Sequence, residues 1–253
     1  MTEMDRAIIR VSGEDPAKFL QGLVSNDTRK LASDGIVYAA MLTPQGKYLA
    51  DFFLVAEGPD ILVDVATPLV DDLFKRLSMY KLRAPVTLAR EDMPVSRGTG
   101  PAPAGALRDP RHPDLGWRAY GVALPEDGTD WDALRVAHCV SETGIELQPN
   151  DTFILEAGFA RLNGVDFRKG CYVGQEVTAR MHHKTELRKG FATVRLSGQA
   201  PVGTTIETDG KPVGTLFTQS GNLAIAYLRF DRAEGAMQAG NATVYPPSVV
   251  ASG

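Results

Sequence analysis

The residues that could do chemistry are concentrated in one segment, Arg168–Glu176, which reads RKGCYVGQE. Its cysteine, Cys171, follows two cations and lies between two glycines. The run Gln175–His183 can be helical, so we expect Cys171 just before a helix N-terminus. Cationic neighbours and a helix start both favour the thiolate and lower the pKa of a cysteine. Such a thiol suits redox chemistry, nucleophilic attack or ligation of a soft metal; the alternative is a buried structural cysteine.

Other chemical motifs are weak or absent in the sequence. Cys139 lies in a stretch predicted to be helical and is interpreted as a packing residue. His182 and His183 are adjacent, so on a helix they point in different directions and do not form a metal-binding pair. The sequence has no HExxH, CxxC, EF-hand, Walker or GxGxxG motif, and we predict no metal site.

A second candidate is Asp51, which interrupts the apolar run Tyr48–Leu54. A carboxylate in such a run must be paired, hydrogen-bonded or directed into a cavity. A carboxylate in a cavity could bind a ligand rich in N–H groups, such as a pterin. The alternative is the edge of a strand that faces water.

Charge is unevenly distributed along the chain. The net charge of −4 argues against general nucleic-acid binding. Residues 161–195 carry a charge of +5, from eight basic and three acidic side chains, which leaves −9 for the rest. A basic surface in an acidic protein favours an anionic small ligand or a partner over a nucleic acid; the alternative is a solvated basic helix face. The charged residues are Arg161, Asp166, Arg168, Lys169, Glu176, Arg180, Lys184, Glu186, Arg188, Lys189 and Arg195.

The elements that must position these groups follow from the hydrophobic pattern. In the first third of the chain we predict strands at 7–11, 36–42, 48–56, 61–66 and 86–89, with helices at 16–24 and from Pro68 to Tyr80. The strands have few polar breaks, so we expect a sheet that is covered on both faces. Residues 93–113 hold five prolines and three glycines, which predicts a linker.

In the rest of the chain the pattern changes twice. We predict a strand at 117–124, a helix at 131–142 that stops before Gly144, and a largely irregular segment at 145–170. Short strands separated by turn residues then favour a small β-barrel. These strands are predicted at 191–196, 202–208, 213–218, 223–230 and 243–245.

Size and composition limit the protein class. The chain has 253 residues, enough for more than one domain, and no apolar run reaches the ~20 residues of a membrane span. Residues Met1–Gly13 show no export or organelle signal, and two cysteines do not make a disulfide framework. We therefore expect a cytoplasmic protein that binds neither membrane nor nucleic acid.

The segment Lys169–Glu176 resembles the K-G-C-Y-x-G-Q-E hallmark of the YgfZ family at all seven fixed positions. These are folate-binding proteins that assist iron–sulfur cluster assembly and are related to the glycine cleavage T-protein, an aminomethyltransferase. Asn163–Phe167 and Arg188-Lys189 resemble mitochondrial-type members, which act late, on [4Fe–4S] proteins. Further similar segments are Phe19–Gly22 with Asn26-Asp27, Leu42–Lys47, Asp109–Arg111, Leu115–Arg118 and Thr178–Arg180.

The resemblance implies an α+β fold of two lobes with a small C-terminal β-barrel, arranged as in the glycine cleavage T-protein around a central folate cavity. In this chain the implied divisions are an N-terminal α+β lobe at 1–92, a Pro/Gly-rich linker at 93–116, a second α+β lobe at 117–189 and the barrel at 190–253. The KGCYVGQE segment falls in the second lobe.

The resemblance also implies a function: a tetrahydrofolate-binding accessory factor for assembly or repair of [4Fe–4S] enzymes. Cys171, as the functional thiol, and Lys169 would be the catalytic residues, and the partners would be an iron–sulfur scaffold or carrier and the client enzymes. The alternative is a folate-dependent aminomethyltransferase, although Ala50 stands where that enzyme has an acidic residue next to Asp51. Residues expected to contact tetrahydrofolate or a derivative are Asp51, Arg118, Tyr172, Gln175, Glu176 and Arg180.

Overall fold

A computed structural model describes residues 6–183 and 187–247 of the chain. Lys184 and Glu186 of the predicted basic stretch lie outside these ranges, and so do residues 1–5 of the N-terminal segment. The chain divides into two compact units. The first unit comprises Met1–Thr129, Pro149–Asp151 and Ala160–Val177, and the second comprises Asp130–Gln148, Thr152–Phe159 and Thr178–Gly253.

The first unit is built on a five-stranded antiparallel sheet with the strand order β2-β3-β4-β1-β5. Its strands match the predicted runs closely, and the β2–β3 hairpin turns at Thr43–Lys47, as the Pro-Gln-Gly sequence predicts. The strands are β1 (Arg6–Gly13), β2 (Ile36–Leu42), β3 (Tyr48–Glu57), β4 (Asp60–Ala66) and β5 (Val86–Glu91).

Both faces of this sheet are covered, as the nearly continuous apolar runs predict: all of β2 and the first eight residues of β3 are buried. One face packs its apolar side chains against α1 (Pro16–Gln21), α2 (Leu31–Asp34) and α3 (Val70–Tyr80). The opposite face is polar at its centre. There, Tyr38, Phe53 and Asp64 form one row across β2, β3 and β4, and Asp51 lies two residues before Phe53 on the same strand.

Two helices end earlier than predicted. Asp15 caps α1 as expected, accepting the Lys18 N–H at 2.9 Å, but the helix stops at Gln21. The next residues leave the helix because Val24 forms an isolated antiparallel bridge with Met41 of β2. In the second unit, α4 (Trp131–Ala137) ends before Cys139, which has φ +48° and so turns the chain out of the helix.

The segment predicted as a linker, 93–116, contains strands instead. β6 (Val95–Gly98) and β7 (Leu107–Arg108) pair with either side of β8 (Trp117–Tyr120) in a three-stranded sheet. Strands of two to four residues with prolines between them give too weak a periodic signal to be recognised in the sequence. In the structure β6 and β7 are each held by pairing with β8. The sheet belongs to the first unit.

The domain boundaries also differ from the predicted ones. Residues 160–177, which include the KGCYVGQE segment, group with the first unit and not with a lobe spanning 117–189. The physical reason is long-range hydrogen bonding: the Lys169 ammonium binds backbone carbonyls that lie more than 140 residues earlier in the chain. Helix α5 (Gln175–His182) contains the unit boundary.

The second unit contains the predicted C-terminal barrel. Six antiparallel strands close in the order β10-β11-β12-β9-β14-β13 around an apolar core. The sequence pattern does not reveal the three-residue strand β13. The strands are β9 (Lys189–Ser197), β10 (Thr205–Thr208), β11 (Lys211–Ser220), β12 (Leu223–Arg229), β13 (Met237–Ala239) and β14 (Ala242–Tyr245). The α+β architecture with a C-terminal β-barrel is therefore confirmed.

Within the described ranges, no helix is long and apolar enough to cross a membrane.

A buried ion pair stabilises the second unit by joining α4 to the barrel. Arg135 of α4 donates to Glu146 at 2.6 Å, and the other oxygen of Glu146 accepts the Thr218 hydroxyl of β11 at 2.6 Å. Arg135 also contacts Glu142 at 2.9 Å. The Glu146 side chain has no exposed surface, whereas 27% of the Glu142 side chain is exposed.

We expect Glu146→Ala to lower the free energy of unfolding by about 3 kcal/mol, because it removes the one fully buried carboxylate among the three that contact the Arg135 guanidinium, the others being Asp132 and Glu142. Glu142→Ala is the matched control and is expected to cost about 1 kcal/mol or less, since that pair is partly solvated. Denaturant unfolding of both variants measures the difference. Equal costs would show that burial does not set the strength of this pair.

Candidate functional site

The segment that carries Cys171 is joined to residues 21–26 by a seam of hydrogen bonds. At one end the Asp166 N–H donates to the Ser25 carbonyl at 3.1 Å, and at the other the Val173 N–H donates to the Gly22 carbonyl at 3.3 Å. Side chains reinforce the first end: the Ser25 hydroxyl donates to the Gly164 carbonyl at 2.6 Å. We call these contacts between residues 163–173 and 21–26 the seam.

Lys169 lies in the middle of the seam and is buried. Its Nζ donates to three backbone carbonyls: Gln21 at 2.7 Å, Val24 at 2.5 Å and Asn26 at 2.8 Å. Burial lowers the pKa of Lys169 to about 8, against the opposing charge of nearby Asp27. The predicted catalytic cation is therefore turned into the protein, with its three N–H groups used by the backbone.

Cys171, in contrast, is exposed. Its neighbours on both sides are fixed: Tyr172 is buried, and its ring lies 4.9 Å from the Lys169 Nζ. The Tyr172 N–H donates to the side-chain oxygen of Gln175 at 3.2 Å, which links the segment to the first residue of α5. The arrangement presents an accessible thiol on a segment whose adjacent residues are anchored.

Gly174 fixes the far side of the segment against the tip of the β2–β3 hairpin. It has φ +85°, and a Cβ there would lie 2.6 Å from the Thr43 carbonyl oxygen and 2.9 Å from the Leu42 Cβ. Gly46, at the hairpin tip, is equally constrained, because a Cβ would lie 2.8 Å from the Cβ of Val177. Two glycines therefore allow the motif and the hairpin to approach backbone to backbone.

Asp51 is buried and hydrogen-bonded to two tyrosines, one of the outcomes expected for a carboxylate in an apolar run. Its two oxygens accept the Tyr38 hydroxyl at 2.9 Å and the Tyr48 hydroxyl at 2.7 Å. Burial, followed by the charge of Asp51, raises the pKa of Tyr38 well above its usual value. Tyr38 therefore stays protonated, and both hydroxyls donate to Asp51.

Beside Tyr38, an ionic layer covers the polar face of the sheet. Arg118 lies 4.0 Å above the Phe53 ring and 3.3 Å from Asp64, while Arg111 lies 4.9 Å above the same ring and forms a two-pronged pair with Asp109. Burial alone would raise the pKa of both carboxyls, but the guanidinium charges hold each pKa below its usual value. Arg118, predicted to contact folate, is thus buried in ion pairs.

Sequence reasoning missed most of this layer, although the signal existed. Asp64 interrupts the apolar run Ile61–Ala66 in the same way that Asp51 interrupts its own run. It also accepts the Tyr120 hydroxyl at 2.9 Å and Arg6 at 2.6 Å. The argument that a carboxylate within an apolar run must be paired or hydrogen-bonded applies to Asp64 in β4 as it does to Asp51 in β3, and would have identified Asp64.

Of the other predicted ligand residues, Tyr172, Gln175 and Glu176 belong to the first unit and Arg180 to the second. Glu176 and Arg180 are exposed on α5, and Gln175 uses its side-chain oxygen within the motif. The basic stretch is divided between the units: Lys169 is buried in the first unit, and Arg180 and Lys189 belong to the second. Cys139, expected to be buried, is half-buried.

We expect Gly174→Ala to destabilise the protein by about 1–2 kcal/mol or more, because alanine is strained at positive φ and its methyl meets the Thr43 carbonyl. Gly170→Ala is the matched control within the same motif. Gly170 has no positive φ, no atom lies within 4 Å of the place that an added methyl group would take, and little change is expected. Thermal unfolding measures both, and a neutral Gly174→Ala would contradict the close approach of the hairpin.

Comparison with known proteins relates most of the chain to iron–sulfur cluster assembly factors. The mitochondrial iron–sulfur cluster assembly factor IBA57 of Mus musculus is 31% identical, over 91% of this chain and 77% of the relative. That of Homo sapiens is 32% identical with the same coverages. The homolog from Mycosarcoma maydis is 33% identical over 81% of this chain, and the chain spans only 59% of that relative.

Two further comparisons concern the fold. Residues 188–250 match the family described as CAF17, C-terminal beta-barrel domain. Among solved structures, the glycine cleavage system aminomethyltransferase T from Bartonella henselae superposes with a TM-score of 0.74, over 94% of this chain and 81% of that one. At 12% identity this likeness shows the fold alone, and it confirms the predicted glycine cleavage T-protein-like fold.

These names correct one prediction and refine another. The prediction of a cytoplasmic protein is wrong, since the relatives from mouse, human and M. maydis are named as mitochondrial. A folded core carries no cellular address, because targeting segments are read by receptors and not packed into the fold.

The predicted YgfZ resemblance is confirmed at the level of iron–sulfur assembly factors, with IBA57 as the name the relatives carry. The sequence similarity across both units places this chain in the IBA57 family of iron–sulfur cluster assembly factors.

Proposed function

We propose that this protein is an accessory factor for the assembly of iron–sulfur proteins and that the Cys171 thiol is its working group. The observation that carries the proposal is the contrast between Cys171 and the residues near it: the thiol is exposed, while Tyr172 next to it and Lys169 two residues before it are buried. The names of the relatives supply the biological setting, iron–sulfur cluster assembly in the mitochondrion.

A thiol held in this way can do what an assembly factor requires. Thiolates are the usual protein ligands of iron–sulfur clusters and also the nucleophiles of sulfur exchange. An exposed thiol on an anchored segment can react with a group on another protein without any unfolding of the protein that carries it. Because the segment is already ordered before a partner binds, association loses less conformational entropy and is more favourable.

One thiol is too few to hold a cluster, which takes about four ligands. The only other cysteine of the chain, Cys139, follows α4 in the second unit and is half-buried. We therefore propose that the remaining ligands come from a partner, an iron–sulfur scaffold or carrier protein, and that the cluster is cargo passed on to client enzymes.

We expect Cys171→Ser to fail to restore [4Fe–4S] enzyme activity in cells that lack the protein, because serine keeps the shape of the site but not its soft ligand. Cys139→Ser is the matched control and is expected to restore activity. Aconitase-type activity in extracts measures both, alongside the amount of folded protein. Full rescue by Cys171→Ser would overturn the proposed role of the thiol.

Tetrahydrofolate is the ligand we propose in addition, with Asp51 as its contact. The chemistry of the site supports this, because Asp51 already accepts two O–H donors in buried surroundings and would accept the N–H donors of a pterin equally well. A bound ring would take the place of one tyrosine hydroxyl, from Tyr38 or Tyr48.

Replacement of a tyrosine hydroxyl by the pterin ring predicts different effects of two substitutions on tetrahydrofolate affinity. Asp51→Asn should weaken tetrahydrofolate binding about tenfold or more, since a charged acceptor is lost. Tyr48→Phe should leave binding unchanged or strengthen it, because it frees an acceptor without removing charge. Calorimetric titration measures both affinities.

Equal affinity of Asp51→Asn and the parent protein would remove Asp51 from the binding site. Turnover of an aminomethyl donor by purified protein and folate, with no partner present, would instead favour the one-carbon transferase.

A further inference from the structure

Lys169 is placed where it can set the position of the Cys171 segment. It is two residues from the thiol, and its ammonium lies between the two ends of the seam formed by Asp166 with Ser25 and by Val173 with Gly22. The end at Asp166 has one backbone hydrogen bond of 3.1 Å and two side-chain hydrogen bonds of 2.6 Å, from Ser25 to the Gly164 carbonyl and from Asn26 to the Asn163 carbonyl. The end at Val173 has one backbone hydrogen bond of 3.3 Å, and between the two ends Lys169 alone makes three contacts of 2.5–2.8 Å. Most of the bonding across the centre of the seam therefore comes from one side chain.

We infer that Lys169 is a positioning residue for Cys171, acting as a cationic tether to the carbonyls of Gln21, Val24 and Asn26. The inference rests on the proposed function only in naming Cys171 as the working group. The tether fixes the backbone on the N-terminal side of the thiol, and the packing of Gly174 against Thr43 fixes the C-terminal side. The thiol is thereby held at a defined place without being buried.

The geometry requires a lysine at this position. An ammonium is a compact charge with three donors pointing in three directions, and three carbonyls converge on it here. Arginine presents its donors in a planar fork, which suits a carboxylate and not three converging carbonyls. An uncharged side chain would leave those carbonyls without a donor in a buried place.

The same contacts argue against a catalytic role. With 5% of Lys169 exposed and three N–H groups used by carbonyls, the ammonium has no donor directed outward. Burial lowers its pKa to about 8, yet at neutral pH most molecules keep the charge and all three donors. Asp27 and Asp166 favour the charged form, and Arg29 and Lys30 oppose it.

The test is amide hydrogen exchange together with thiol alkylation on the full-length protein. In Lys169→Ala we expect the Asp166 and Val173 amides to exchange about tenfold faster or more, because the seam opens locally. The rate of Cys171 alkylation by iodoacetamide should change in parallel, while that of Cys139 should not. Arg168→Ala, which removes an adjacent exposed cation, is the matched control and should change neither rate.

Chemical rescue distinguishes a tether from general destabilisation. Ammonium chloride should restore slow exchange in Lys169→Ala, because ammonium supplies N–H donors to the vacated carbonyls. Tetramethylammonium chloride at the same ionic strength should not, since it has no N–H. Wild-type exchange rates in Lys169→Ala, or equal effects of the two salts, would overturn the inference.

Lys169→Arg keeps the test valid if Lys169→Ala does not fold. It retains charge and donors, so the protein should fold, but faster exchange at Asp166 and Val173 is still expected because the fork cannot reach three carbonyls. Exchange as slow as in the parent protein would overturn the tether. None of these measurements involves an iron–sulfur cluster. If the proposed function fails, the measured role of Lys169 as a tether is unaffected, and if the tether fails, the proposed function of Cys171 is unaffected.

Discussion

Burial of charge is the constraint on which the candidate site depends. Removing an ammonium or guanidinium from water costs several kcal/mol unless hydrogen bonds and counter-charges replace the lost solvent. Lys169 meets this requirement with three carbonyls, and Arg118 meets it with Asp64 and the face of Phe53. Because these partners are distant in sequence, the first unit has to bring residues 21–26, 64 and 118 into place before either charge can be buried.

The exposed thiol is a consequence of this burial. Residues of the motif face opposite ways, with Lys169 and Tyr172 inward and Cys171 outward. The inward residues anchor the segment, and Gly174 completes the anchoring where no side chain would fit against the hairpin. A working group on such a segment is both accessible and ordered, which is what transfer between two proteins requires.

The polar face of the sheet is defined by its side chains and not by the fold alone. The likeness to an aminomethyltransferase extends over 94% of this chain, yet it is carried by backbone shape at 12% identity. In this chain the carboxylate at Asp51 is held by Tyr38 and Tyr48, and an ionic layer covers Phe53 beside it. Activity depends on such local arrangements of side chains, so it has to be argued from them and not from the fold.

The sequence by itself determined the elements with strong periodicity and the identity of the motif. The long strands of the first sheet, α3 and the barrel follow from apolar runs and turn residues, because each is specified by neighbours within about ten residues. The weak strands β6, β7 and β13 escape prediction for the same reason: each is only two to four residues long and is held by pairing with strands elsewhere in the chain. An octapeptide also singled out Cys171, the residue on which the proposed function rests.

Only the tertiary structure decided the roles of the charged residues. Lys169 and Arg168 are adjacent and identical in charge, yet one is buried as a tether and the other is exposed. The sequence marks Asp51 as unusual but does not reveal its tyrosine partners, and the partners of Asp64, in an equivalent run, are equally hidden. A charged side chain does not encode its own partner, because the energy of burying it depends on groups that the fold brings from distant parts of the chain.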